Sequence, residues 1–394
     1  MWTCVPDSSR PLIGSVTASI ETPGRRLGGV DVLGFFTAEH GVGEAARGLV
    51  SALDAAGISR NAVNYTDTES RTAHEFETQN VSEFQTLFAA LNADHLPAAR
   101  QIMGNDFWTN RYVISQWFWE LEVSPPWFHD AFPMVNELWA PTRFIEQMLR
   151  RSAPEGVAVR YMPPAVEIPF IDPALTKDHF GLGDRFTFYF SFDFMSIAKR
   201  KNAVGLVRAF RKAFAENSGP QLVIKSMNGD KREFDLWSLK EAIGERSDIT
   251  LMTDYLTRVE ASTMTSLADC YVSLHRSEGL GLTITEALSL GVPVIATGYS
   301  GNLDFMDEWN TWRVPCSMTQ VGSGAGGYPK DALWAEPDLD EAARMMREVF
   351  ENPSAAKAKA AKARDHVLNA FSVEAAGTRM RQRLEDIWAE LGRG

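Results

Sequence analysis

The chain has 394 residues, 45% of them hydrophobic and 23% charged, with a formal net charge of -12. This length suits two domains of common size, and the composition excludes collagen-like, broadly disordered and disulfide-scaffold classes. The acidic balance argues against a general polyanion-binding surface, so no nucleic-acid partner is expected, although local basic clusters can still hold a phosphate. Three widely spread cysteines, Cys4, Cys270 and Cys316, form no CxxC pair. They predict neither a zinc site nor a disulfide framework and fit a reducing compartment.

Residues 1–28 are rich in Pro, Ser, Thr and Gly and read as an irregular arm. They lack a basic segment followed by an apolar run, so no secretory leader is expected. No stretch is long and apolar enough to span a bilayer. The expected location is cytoplasmic, and a lipid acceptor would have to be met peripherally, at the inner face of the membrane.

The first strand is predicted at Val30–Phe36, a short apolar run. The loop His40-Gly41-Val42-Gly43-Glu44 leads into a helix marked by Ala45, Leu49, Val50 and Leu53, and Gly57 closes it. Strand, glycine loop and helix make a βα unit of the Rossmann type. Amides of Gly41 and Gly43 suit a donor phosphate, and a tight βα turn is the equal alternative. Tyr112–Ser115 reads as a strand, followed by Gln116-Trp117-Phe118-Trp119-Glu120. Gln116, Trp117, Trp119 and Glu120 are acceptor-site candidates because aromatic rings can stack on the C–H faces of a sugar. For any single tryptophan, core packing is the simpler reading. Glu137–Thr142 is a strand end with Thr142 capping the next helix, and Val157–Met162 is another strand before Pro163-Pro164.

Residues 166–184, rich in Pro and Gly, are the expected linker between a first domain at 29–165 and a second at 185–370. The second domain repeats the alternation. Strands are predicted at Phe186–Phe192, Gln221–Lys225, Ile249–Met252, Tyr271–His275 and Pro293–Thr297, with helices between most of them. Residues 354–364 (SAAKAKAAKAR) read as a low-complexity helix surface. Residues 371–394 form a last helix, amphipathic over roughly 373–391, expected to cross back to the first domain. The fold class is therefore α/β, with two Rossmann-like domains whose parallel sheets face a central cleft.

The densest signal is the run from Arg276 to Ala296, RSEGLGLTITEALSLGVPVIA. The strand ends near Glu278, read as an exposed carboxylate. Gly279 and Gly281 then turn the chain into a helix whose N-terminus is a ready anion site. Glu286 sits on that helix, where a carboxylate can take both hydroxyls of a ribose. Gly291 closes the helix and Pro293 opens the next strand. A second cluster, Lys199-Arg200-Lys201, lies at a predicted helix start. Cations oppose the dipole there, which suggests an anionic ligand. Thr297-Gly298-Tyr299-Ser300-Gly301-Asn302 is a further glycine loop at a strand end. Asp338-Leu339-Asp340 has the form of a metal-binding DxD, but an Asp helix cap is the simpler account. His40, His129 and His275 lack metal-ligand spacing.

Glu278 and Glu286, with seven residues between them, resemble the hallmark of retaining glycosyltransferases of the two-Rossmann (GT-B) fold, glycosyltransferase family 4 (group 1). The resemblance is clearest over 186–315. It implies that Glu278 contacts the donor sugar near the reacting carbon and that Glu286 holds the nucleotide ribose. Gly279, Leu280, Gly281, Leu282 and Thr283 would bind diphosphate and sugar, with Ser300 and Gly301 lining the donor site. Lys201 matches the family's phosphate-neutralising lysine. The family's arginine after the preceding strand is replaced by Phe192-Asp193-Phe194, with Arg200 and Lys225 as the candidates to substitute for it. The implied activity is metal-independent transfer of a hexose from a UDP-, GDP- or other NDP-sugar, with no cofactor, to a glycan, a lipid-linked glycan or a small glycoconjugate. Polysaccharide biosynthesis is the implied setting. The implied chemistry is front-face transfer with retention, in which the leaving phosphate helps deprotonate the acceptor. A sugar-nucleotide epimerase, a phosphorylase or a non-catalytic partner subunit on the same fold are the rival readings.

Overall fold

A computed structural model describes residues 24–79 and 81–393. Most of the arm expected at 1–28, with Cys4, lies outside the described residues. The chain divides into two compact units, residues 1–165 with 371–394, and residues 166–370.

The first unit runs β1 (Arg26–Gly34), α1 (Gly41–Ala55), β2 (Ser59–Asn64), β3 (Phe84–Ala90), α2 (Leu96–Met103), α3 (Asn105–Trp108), β4 (Tyr112–Ser115), α4 (Phe128–Ala131), β5 (Glu137–Ala140), α5 (Arg143–Ser152) and β6 (Ala158–Tyr161). Its six strands form one parallel sheet in the order β2-β1-β3-β4-β5-β6. Strand direction of growth reverses between β1 and β3. Thr142 caps α5, accepting from the Ile145 N–H at 3.3 Å. Strand β1 begins at Arg26, inside the span read as an irregular arm.

The second unit runs β7 (Thr187–Asp193), α6 (Ala198–Lys201), α7 (Ala203–Ala213), β8 (Gln221–Met227), α8 (Glu233–Ile243), β9 (Ile249–Met252), α9 (Arg258–Leu267), β10 (Cys270–Ser273), α10 (Leu282–Ser289), β11 (Val294–Thr297), β12 (Trp312–Val314), β13 (Cys316–Gln320), β14 (Leu333–Pro337), α11 (Leu339–Glu351) and α12 (Pro353–Ala370). A second six-stranded parallel sheet has the order β12-β11-β10-β7-β8-β9. Here the reversal falls between β7 and β10. In open sheets of this kind, ligands bind beyond the strand carboxyl ends at such a reversal. Strands β13 and β14 form a separate antiparallel pair. Helix α12 is more than a polar surface: Ala356, Ala360, Ala363 and Val367 form a buried stripe. Among the described residues, no helix is long and apolar enough to cross a membrane.

The last helix, α13 (Val373–Leu391), packs in the first unit. Ala376, Met380, Leu384 and Ile387 recur at helical spacing and join the core of β1 and α1. A Cβ on Gly377 would collide with the Ala52 carbonyl, so the α1–α13 approach requires glycine there. Arg383 of α13 forks onto Glu137 at 2.6–3.1 Å. The fully buried Glu137 carboxylate also accepts from the Tyr112 hydroxyl at 2.9 Å and the Trp139 indole at 2.8 Å. Breaking one side of such a buried pair typically costs about 3–5 kcal/mol, whereas replacing both sides by apolar groups is often near neutral. Arg383→Met is therefore predicted to lower unfolding stability by roughly that amount. Adding Glu137→Leu should recover only part of it, because the Tyr112 hydroxyl and the Trp139 indole then lose their acceptor. Urea denaturation of the two variants checks this.

Candidate active site

The reversal between β7 and β10 brings two loops together. One follows β7 and carries α6. The other follows β10 and leads into α10. Glu278, on the second loop, meets both cations of the first. Its Oε1 lies 2.5 Å from Lys201 Nζ and its Oε2 lies 2.9 Å from Arg200 Nη1. Arg200 also donates to the Ser277 carbonyl at 2.9 Å and the Ser196 carbonyl at 3.0 Å.

Glu278 was expected to be exposed, but it is 8% exposed. An unpaired carboxylate could not be buried at that level without large cost, so the two cations explain its placement. Burial alone pushes its pKa up. Lys201 and Arg200 outweigh burial and bring it down to about 2. The cations themselves also sit differently from expectation. α6 is a single turn, closed by Asn202 in the left-handed region, and α7 starts afresh at Ala203. Lys199, Arg200 and Lys201 thus occupy the last turn of α6, where the helix dipole does not oppose them.

The loop after β11 lies against the backbone of Glu278. The Ser300 hydroxyl accepts from the Glu278 N–H at 2.8 Å, and the Gly301 N–H donates to the Glu278 carbonyl at 2.9 Å. Any Cβ on Gly301 would collide with the Gly279 carbonyl. Ser300 holds φ +77° and ψ −152°, a region nearly reserved for glycine. Below it, His275 is fully buried, with Nδ1 3.0 Å from Ser273 Oγ and Nε2 3.0 Å from Asn302 Oδ1. Burial lowers its pKa, so it is a neutral bridge. The Ser273 hydroxyl then donates to Nδ1, and Nε2–H donates to Asn302.

Gly281, at φ +87°, is the N-cap of α10. That left-handed backbone suits glycine and turns the chain so that the first-turn amides of Leu282 and Thr283 open the helix. Glu286 is half-buried on the second turn of α10. Lys225 lies on β8, opposite Ser191 of β7. It is buried and donates to the Ser226 carbonyl at 2.8 Å. Burial lowers its pKa, against the charges of Asp254 and Asp193. Asp193, which stands where the resemblance implies an arginine, shapes the turn. It accepts from the Met195 N–H and the Asn228 side chain, both at 2.9 Å.

Several first-unit candidates have other roles. Gly43 N–H donates to His40 Nδ1 at 3.1 Å, closing the cap of α1 rather than pointing to a ligand. A Cβ there would lie 2.7 Å from two carbonyls. His40 is held neutral, its pKa lowered to about 4 by burial, His95 and Arg47. Gly41 is the first residue of α1. Trp117 and Trp119 are buried and pack edge-on or tilted with Phe128, so neither offers a face to a sugar. Gln116 is buried too, 3.4 Å from the Met162 carbonyl. Glu120 is partly exposed. The accessible ring of the cluster is Trp127, 5.5 Å from Trp119, which the sequence pattern did not single out. Asp338 caps α11 through the amides of Asp340 and Glu341.

No curated relative matches the sequence. Among solved structures, a sucrose-phosphate synthase from Thermosynechococcus elongatus superposes with a TM-score of 0.67 at 14% identity, over 93% of this chain and 100% of that one. HepE from Anabaena, solved with UDP and glucose, gives 0.63 at 12% identity over 91% and 99% of the two chains. A glycosyltransferase from Rickettsia africae gives 0.62 at 16% identity over 91% and 97%. The fold is thus the two-Rossmann, GT-B architecture. The stretch that carries Lys201, Glu278, Glu286 and Ser300, residues 190–324, matches the family model of glycosyl transferases group 1.

Proposed function

We propose that this chain is a metal-independent, retaining glycosyltransferase that moves a hexose from a nucleotide sugar to a hydroxyl of a glycan, lipid-linked glycan or small glycoconjugate. The observation that carries the reading is the buried Glu278 carboxylate, ionised between Lys201 and Arg200, four residues before α10. A carboxylate fixed in that state stabilises positive charge developing on a donor sugar. The N-terminus of α10 and the Lys201 ammonium meet the leaving diphosphate. Glu286 takes the ribose hydroxyls. Two of the similar structures support the donor class: HepE is bound to UDP with glucose in one and to UDP-glucose in the other.

Within this reading Arg200 is a positioning residue. Its guanidinium is buried and committed to Glu278, Ser277 and Ser196. Lys225 is the remaining candidate for the charge of the missing arginine. The acceptor belongs to the first unit, beyond the carboxyl end of β4, where Glu120 and Trp127 are accessible. The setting is the cytoplasm, with lipid-linked acceptors met at the membrane surface.

A thermal-shift panel of UDP, GDP, ADP and dTDP, each free and carrying a hexose, tests the donor assignment. One base is expected to raise Tm by about 5–10 °C at a hundredfold excess over Kd. Glu286→Ala should abolish that shift. No shift with any nucleotide would contradict the reading.

The site also sets a pH dependence. Glu278 has a folded pKa of about 2 against an ordinary 4.5. Its contribution to stability is therefore complete above 4.5 and is lost as pH falls from there toward 2. The lowered His275 pKa acts in the same direction from 6.5 downward. Urea midpoints should accordingly hold near neutrality and fall in acid. Glu278→Gln is expected to flatten only the part below 4.5. Any loss of transfer between pH 5 and 7 should persist in that variant's residual activity, because Glu278 stays ionised throughout that range.

A further inference from the structure

Lys201 reaches Glu278 from a turn with an unfavourable backbone. Ile197, which precedes α6, has φ +62° and ψ +93°. A β-branched residue there is strained and persists only where its surroundings over-determine it. A single helical turn is not stable by itself either. Its far end is again left-handed, at Asn202.

The hairpin β13–β14 and its connecting segment, residues 321–332, supply the constraint. Lys199 Nζ donates to the Ser323 carbonyl at 2.7 Å. Gly326 lies so close to Ile197 that a Cβ would stand 3.3 Å from Ile197 Cδ1. Arg276 ties the parts together. Its guanidinium forks onto Glu336 of β14 at 2.7 and 3.0 Å, donates to the Lys199 carbonyl at 2.6 Å and lies over the Trp334 ring at 5.5 Å. Its backbone N–H donates to the Arg200 carbonyl at 2.7 Å, and its carbonyl accepts from the Ala335 N–H at 2.9 Å. A two-stranded hairpin is marginal alone. Here it belongs to neither large sheet and is anchored on the cationic turn.

We propose that Arg276 and the hairpin are a positioning device that holds the strained 197–202 turn so that Lys201 is presented at the Glu278 site. Arg276 acts through Lys201 and does not itself touch the donor. The inference rests on the reading of Lys201 as a diphosphate ligand, but its structural half stands apart from that reading.

Two measurements on Arg276→Ala and the milder Glu336→Gln test it. The first is hydrogen exchange in nucleotide-free protein. Amides 198–203 should exchange about tenfold faster or more in both variants, while amides 284–289 of α10 keep their protection. The second is affinity for whichever of UDP, GDP, ADP or dTDP shifts the wild-type Tm. Arg276→Ala should weaken it about tenfold, and in a Lys201→Ala background the same replacement should add nothing. Unchanged exchange at 198–203 in well-folded Glu336→Gln would overturn the proposal. So would an equal loss of affinity with and without Lys201. If no nucleotide binds the wild type, the donor reading fails, and the exchange result alone decides whether the hairpin holds the turn.

Discussion

The second unit is organised around one buried carboxylate. Glu278 is removed from water, and a charged group there is tolerated only with close cationic partners. Lys201 and Arg200 can provide them because β7 and β10 are neighbours, although 76 residues separate the end of one from the start of the other. The loops beyond the two strands therefore meet where the sheet order reverses. The close backbone approach then dictates the small residues. Gly301 has no room for a Cβ, Gly281 must turn the chain into α10, and Ser300 spends its hydroxyl on the Glu278 amide. One electrostatic requirement thus fixes the geometry of three loops.

The first unit solves a similar problem with a different outcome. Glu137 is also buried, and its partner Arg383 comes from α13, at the other end of the chain. There the carboxylate is held by Arg383, Tyr112 and Trp139. Such a cluster fixes where α13 docks. The Glu278 cluster instead stands four residues before α10, and the role proposed for it on a donor builds on that placement.

Much of the fold was legible because its strands are short apolar runs separated by glycine and proline. β4 and β9 show this, as do the ends of β5 and β11, whereas α13 was legible from apolar residues at helical spacing. β3 was less legible. Phe84, Leu87, Phe88 and Leu91 fall at helical spacing, yet the segment is a strand buried on both faces. The polar β2, Ser59–Asn64, carries little signal because it is an edge strand. At the site, the glycine spacing pointed to the turn into α10. The sequence could not show that Glu278 is buried, since its partners lie 77 and 78 residues away. The break of the predicted helix at Asn202 depends on a tertiary contact, the donation of its side chain to the Leu274 carbonyl at 2.8 Å. Trp117 and Trp119 show the reverse case. Aromatic residues after a strand suit either a core or a sugar platform, and only packing decides between them.

The central claim is that the Glu278 carboxylate acts on the donor sugar and is not merely a buried structural charge. The direct test is single-turnover consumption of the nucleotide sugar by Glu278→Gln, set beside that variant's affinity for the free nucleoside diphosphate. The account predicts a rate lowered by about a hundredfold or more with nucleotide affinity changed by no more than about threefold. A rate equal to wild type would contradict it. So would a loss of rate that merely followed a matching loss of nucleotide affinity.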